Sequence, residues 1–153
     1  MSTSATITTS PNRGDQPICS LVAPSLIKSS LGTVVREPHA IVSGSTTTCT
    51  YAGSSSSQTV IIGYDTGATS STYSSDKSSI VARASTTIDL PQFGSTAYAA
   101  TVASGGQTVN TVVVFRADLQ VTIVAARPAD AVENLMTGLL TTLQNSGTTT
   151  TTS

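Results

Sequence analysis

The feature that most constrains the fold is a single apolar stripe near the end of the chain. Pro128 suits the first turn of a helix, and the apolar residues after it recur every three or four positions. They are Val132, Leu135, Met136, Leu139, Leu140 and Leu143. A helix that ends near Asn145 and Gly147 would place all six on one face, and this face must pack on a sheet. Burying each side chain contributes about 1.5–3 kcal/mol, so we expect this helix to be the largest single contributor to the core.

Two groups of short segments supply the sheet, because both are rich in β-branched residues and are separated by turn residues. The predicted strands are 33–42, 46–52 and 59–65 in the first group and 98–103, 109–115 and 119–125 in the second. Glycine-containing turns at 43–45 and 104–106 and the pair 117–118 indicate hairpins. Pro38 cannot donate a ladder hydrogen bond and therefore places the first strand at an edge or a bend.

Two further helices complete the pattern. Pro24 and Gly32 fit the start and the stop of a short helix over 24–31. Apolar residues return at helical spacing in 69–83, which predicts a second helix despite its many Ser and Thr residues. The expected fold is α+β: a mainly antiparallel sheet packed against helices, in the order helix, three strands, helix, three strands, helix.

The ends of the chain differ from its body in composition. Residues 1–16 are polar and contain few apolar side chains, so they are expected to form a flexible tether. Residues 147–153 are almost entirely Thr, which predicts a flexible tail. The single α+β domain is then expected to span 17–146.

Charge and hydropathy exclude several classes of protein. The chain carries 7 basic and 8 acidic residues with no basic stripe, which argues against nucleic-acid binding. Its longest apolar run, Val112 to Phe115, is far shorter than the roughly 18 residues of a membrane span. Residues 1–6 lack the basic start and apolar core of an export signal. Low charge, heavy Ser and Thr usage and paired cysteines nevertheless favour an extracytoplasmic domain, secreted or in the cell envelope, whose export signal is absent from this sequence.

The residue types that carry chemistry are sparse. The two cysteines, Cys19 and Cys49, fit a structural disulfide first, two buried thiols second and a zinc site last, since only His39 could join them. His39 itself fits a surface position in a strand or bend. Serines are abundant, but no nucleophile motif links one to this histidine, and the carboxylates are scattered. We therefore expect no catalytic residues, no metal, no cofactor and no enzymatic activity.

One weak ligand signal comes from the aromatic residues. Phe93 and Tyr98 flank a loop, where a small groove between them would accept a ligand. The remaining aromatic residues fit the core.

Three strings in the sequence form a pattern: Cys19 to Pro24, Leu31-Gly32 and Cys49 to Tyr51. They resemble a small extracytoplasmic domain of actinobacteria, found in lipoproteins of unknown function and in sensor-like proteins. The segment from Leu90 to Tyr98 and the closing hairpin and helix are similar to the same family, so the resemblance covers about residues 18–143. It implies an exported, disulfide-containing binding or sensor-like module and no established catalytic residues. Pro91-Gln92-Phe93 departs from the family's small residues, and no lipobox cysteine lies near the start, so membrane attachment does not carry over.

Two hypotheses of function follow. The first is a non-enzymatic extracytoplasmic binding or sensor-like module, with an unidentified ligand or protein partner. The alternative is a structural or assembly subunit, such as a virion or surface-layer protein, because low charge and hydroxyl-rich strands suit self-assembly in many copies.

Overall fold

The fold is an antiparallel sheet of seven strands with three helices. The structure, a computed structural model, describes residues 19, 21–55, 58–94, 96–104, 106–116 and 119–152. The elements are α1 (Pro24–Leu31), β1 (His39–Ser43), β2 (Thr46–Tyr51), β3 (Val60–Asp65), α2 (Ser70–Arg83), β4 (Thr86–Asp89), β5 (Ala97–Ser104), β6 (Gln107–Arg116), β7 (Leu119–Ala125) and α3 (Ala129–Thr152). The predicted α+β class and element order are confirmed. The second strand group also contains the four-residue β4, which is too short to show a period of two in the sequence.

The strand order, β1-β2-β3-β7-β6-β5-β4, joins two meanders. Each meander pairs strands that follow one another in the chain, and β3 joins the two halves by pairing with β7. Ile123 lies at the centre of this junction, opposite Ile62 on one side and Val112 on the other. Because side chains alternate between faces along a strand, these three residues define one face of the sheet, here called the core face.

Helices α1 and α3 cover the core face. Val132, Leu135, Met136 and Leu139 are fully buried there, while Leu140 is 9% exposed and Leu143 packs against the cluster. The two helices approach each other closely, since a Cβ added at Gly138 would lie 3.3 Å from Leu26 Cδ1. The predicted role of the apolar stripe is therefore confirmed.

The ends of the predicted elements differ from the structure in two places. Helix α3 continues to Thr152, past the predicted end at Asn145 to Gly147. Residues 33–38 are not a strand, since β1 begins only at His39. In that segment Arg36 N donates to Ala52 O over 2.9 Å, and the Thr33 hydroxyl accepts from Arg127 Nε over 2.7 Å. These contacts hold the segment across the end of the sheet, while β1 forms the edge that Pro38 predicted.

The predicted stop of α1 is confirmed. Gly32 adopts a left-handed conformation, with φ of 71°, and its N–H donates to Lys28 O over 2.8 Å. The predicted tether, residues 1–16, lies outside the described residues, as does the turn at 117–118.

Helix α2 lies on the other face of the sheet, here called the open face. It begins where the hydroxyl of Thr69 accepts from Thr72 N over 3.2 Å. Its only buried residue is Tyr73, which is 7% exposed and whose ring stacks on Phe115 and meets Tyr98 edge-on, both at 5.8 Å. A helix anchored by one aromatic residue covers only part of the sheet, so the rest of this face is left uncovered.

Candidate functional site

The open face bears apolar and hydroxyl side chains that no helix covers. Ile61 lies on this face because its neighbour Ile62 points into the core, and Ile61 is 37% exposed. The register places Val124 beside Ile61, and Thr122 and Thr48 on either side of Gly63. Such a surface beside a helix forms a concave site.

One concavity on the open face is a groove of about 560 Å³ between the end of α2 and the sheet, here called the main groove. Ile80 and Arg83 of α2 form its wall. Its floor comes from three adjacent strands and comprises Val102, Ala103, Val109, Thr111, Thr122 and Val124. The volume lies within the range of small-molecule sites, about 300–1,000 Å³.

A second groove of about 270 Å³ continues from the first, here called the side groove. Val109 and Val124 line both grooves. The side groove then extends past Ile61 on β3, Thr59 just before β3, and Gln107 on β6. The two grooves together cross four strands of the open face.

The main groove is apolar apart from a few polar groups. Arg83 is the only charged residue among its described lining residues, and its Nε donates to Ser79 O over 3.4 Å. The Nη groups of Arg83 have no partner among the residues that the structure describes. Thr111 is 7% exposed, and its hydroxyl likewise makes no hydrogen bond to a described residue. The groove therefore offers one cation and the hydroxyls of Thr111 and Thr122 to a ligand.

Beside the main groove, a polar layer attaches α2 to the sheet. Gln120 Nε2 donates to Asp76 Oδ2 over 2.9 Å, and Lys77 Nζ lies 3.3 Å from Asp89 Oδ1. Lys77 Nζ also lies 5.3 Å from the centre of the Tyr98 ring. Burial raises the pKa of Tyr98, and the neighbouring Tyr73 and Asp76 raise it further. This phenol stays protonated and cannot act as a base near neutral pH.

The predicted disulfide between Cys19 and Cys49 is present, with a Cα–Cα distance of 5.7 Å. It joins the segment before α1 to β2. Tyr51, two residues after Cys49, reinforces the link, because its hydroxyl lies 2.6 Å from Val22 O and 3.0 Å from Cys19 O. Burial raises the pKa of this phenol, and the charge of Glu37 raises it further. The donor is therefore kept protonated.

The two residues predicted to flank a ligand loop are both buried. Phe93, in a 3-10 helix at Pro91–Phe93, is 5% exposed and belongs to the core-face cluster. Its carbonyl oxygen accepts from Arg116 Nη2 over 3.0 Å. Tyr98 is fully buried in the separate cluster beneath α2. The structure gives each a packing role on a different face, and ligand contact by either stays a prediction.

The groove residues were not singled out from the sequence, although a signal existed. Consecutive apolar residues, such as Ile61-Ile62 and Ile123-Val124, put one side chain on each face of a strand. In a strand, an apolar residue directly before or after a core residue in the sequence therefore indicates that the open face is apolar at that position. Only the position of α2 shows which of these residues line a groove.

The described residues contain no group of three or more His, Cys, Asp and Glu side chains that could hold a metal ion. His39 is exposed on β1. None of the described helices is both long and apolar enough to cross a membrane.

Comparison with known proteins found no matching family model, curated protein or solved structure.

Proposed function

We propose that this chain is a non-enzymatic extracytoplasmic binding or sensor-like module, of the actinobacterial kind that its sequence resembles. Its site is the main groove on the open face, where it takes up a small, mainly apolar molecule. The observation that carries the proposal is this groove of about 560 Å³, whose wall and floor are mainly apolar.

The composition of the groove supports binding and not catalysis. Among its described lining residues, threonine hydroxyls are the only potential nucleophiles, and no histidine or carboxylate stands beside them as a base. Its floor consists of hydrogen-bonded strands, which hold the lining side chains in place. A rigid apolar floor favours retention of a ligand without reaction.

The proposed location outside the cytoplasm is supported by the disulfide. Disulfide bonds persist in oxidising compartments and are rare in the cytosol. Both sulfurs are buried, since Cys19 is 2% exposed and Cys49 is fully buried, so the bond forms part of the core.

The test is a titration with the neutral apolar dye Nile red, followed by its fluorescence. Thr122→Phe should fill the main groove and weaken dye binding at least about tenfold, which corresponds to about 1.4 kcal/mol. The matched control is Thr48→Phe, because Thr48 lies on the same face and in the same row, two strands away, and lines neither groove. Equal binding by both variants and the native chain would contradict the proposal.

A second pair of variants changes α2 instead of the sheet, so that the test does not depend on correct folding of the first pair. Ile80→Lys places a charge on the groove wall, whereas Val81→Lys places it on an outward position that is already 43% exposed. Dye binding should fall only for Ile80→Lys. Far-ultraviolet circular dichroism should show the same fold for all four variants.

The alternative, an assembly subunit, is favoured by the edge strand β1. Ile41 and Val42 lie on opposite faces of this strand and are 55% and 52% exposed. In the described part of the chain no strand pairs with the outer edge of β1. Such an edge can recruit another strand. Sedimentation velocity over a wide concentration range tests this function: higher-order species that Ile41→Lys removes would support it, and a monomer throughout would oppose it.

A further inference from the structure

We infer that the natural ligand of the main groove is a single-chain amphiphile with an anionic head group, bound with the head at Arg83 and the chain along the open face. The inference rests on the proposed binding function and adds the class of ligand. It is carried by the one available cation at the groove wall and by the length of the apolar floor.

The charge of Arg83 is not neutralised by a neighbouring residue. The two acidic residues near α2 have other partners, since Asp76 accepts from Gln120 and Asp89 pairs with Lys77. Within the described residues, Arg83 forms no ion pair. Only its Nε is engaged, at Ser79 O, so both Nη groups are available. A guanidinium with free Nη donors matches a carboxylate or a phosphate.

A threonine hydroxyl adds a second polar contact in the same groove. Thr111 lines the groove, and its hydroxyl has no partner among the described residues. A ligand oxygen in the groove can therefore accept a hydrogen bond from it. Arg83 and Thr111 together provide donors for the oxygens of an anionic head.

The apolar floor accommodates a chain. The main and side grooves share Val109 and Val124, and they lead from β5 across β6 and β7 to β3. Three strand spacings of about 4.7–4.9 Å give a path of roughly 14 Å. At its far end lies Ile61, a large apolar side chain that is 37% exposed. A chain on this path would cover Ile61, whereas a compact ligand in the main groove would not.

The experiment compares ligands that share one chain and differ in the head. Dodecanoate, dodecyl phosphate, dodecanol and dodecyltrimethylammonium are titrated below their micelle concentrations, by displacement of Nile red. The two anions should bind at least about tenfold more tightly than dodecanol. The cationic amphiphile should bind most weakly. Tighter binding of dodecanoate would indicate a free fatty acid as the source, and tighter binding of dodecyl phosphate would indicate a lysophospholipid.

The variants separate the role of the charge from the role of the groove. Arg83→Gln should bring the affinity for dodecanoate down to the affinity of the same variant for dodecanol. Arg83→Lys should retain a preference for anions, and Arg36→Gln, at another exposed arginine, should change nothing. Added salt should weaken dodecanoate binding in the native chain, Arg83→Lys and Arg36→Gln, but not in Arg83→Gln.

The outcomes distinguish the two claims. Equal affinities for all four head groups, with no effect of Arg83→Gln, would overturn the anionic ligand and leave the groove as a binding site. Failure of every amphiphile and of Nile red would overturn the proposed function as well. Preference for the cation would also overturn the inference.

Discussion

Replacing both cysteines by alanine should cost this domain a large part of its stability. Cys19 and Cys49 are 30 positions apart, so the bond closes a long loop in the unfolded chain. By the chain-entropy relation, a loop of 30 residues corresponds to about 3.6 kcal/mol at 25 °C. Typical single domains are stable by about 5–15 kcal/mol, so this loss is severe. With about 2.1 cal/mol/K of unfolding entropy per residue, the melting temperature of 153 residues should fall by roughly 11 °C.

The assay is equilibrium unfolding in urea, followed by far-ultraviolet circular dichroism. The native chain, the native chain with reductant and the Cys19→Ala/Cys49→Ala variant are compared. The reduced chain and the double variant should unfold at similar, lower urea concentrations. Alkylation without reductant, read by intact mass, should find no free thiol in the native protein.

The control is Tyr51→Phe, which removes the hydrogen bonds to Cys19 O and Val22 O and leaves the disulfide intact. It should cost about 1–3 kcal/mol, because buried carbonyl groups lose a donor. A double-alanine variant as stable as the native chain would refute the reasoning, as would two alkylated cysteines in the native protein. A larger loss from Tyr51→Phe than from the double variant would show that the hydrogen bonds, and not the covalent link, hold this segment.

Two further predictions concern the core. Leu139→Ala should cost about 2–5 kcal/mol in urea unfolding, because Leu139 of α3 is fully buried in the core, whereas His39→Ala, at an exposed position, should cost little. A neutral Leu139→Ala would contradict the packing of α3 on the sheet. Alkaline pH should unfold the domain, because burial raises the pKa of Tyr51, Tyr64 and Tyr98 above the ordinary value of about 10. The folded state holds these protons at a pH where the unfolded state releases them. The tyrosine contribution to the free energy of unfolding should therefore fall above about pH 10, by up to about 1.4 kcal/mol per pH unit for each tyrosine, and be constant below about pH 9. Tyrosinate absorbance that rose before the circular dichroism changed would contradict this.

Much of the fold could be predicted from local patterns. The helix at Pro24–Leu31 begins and ends at the predicted residues, because proline and glycine restrict the backbone at those points. The apolar stripe of α3 predicted that this face of the helix is buried. The β6–β7 hairpin follows from two β-branched segments separated by a two-residue turn. Each of these predictions depends on residues close together in the chain.

Other features depended on contacts between distant residues. Residues 33–38 begin with three β-branched residues, which is typical of a strand, yet the segment's hydrogen bonds go to Ala52 and Arg127, and this keeps it out of the sheet. The four residues of β4 are too few to show an alternation of side chains between faces. They form a strand because they pair with β5. Phe93 and Tyr98 are five positions apart and belong to clusters on opposite faces. Sequence proximity therefore did not indicate a shared site.

The sequence by itself determined which segments become helices and strands, and that one helix must bury its stripe, because backbone restriction and side-chain periodicity act locally. The sequence also provided the two cysteines, but the disulfide could form only once β2 lay beside the segment before α1. Only the tertiary structure decided the candidate site. The pairing of β3 with β7 brings Ile61 next to Val124, although 63 positions separate them. Helix α2 lies on the sheet so that its end forms one side of the groove and leaves the groove uncovered. A long-range strand register and the path of a weakly anchored helix depend on the packing of the whole chain, so no local pattern contains them.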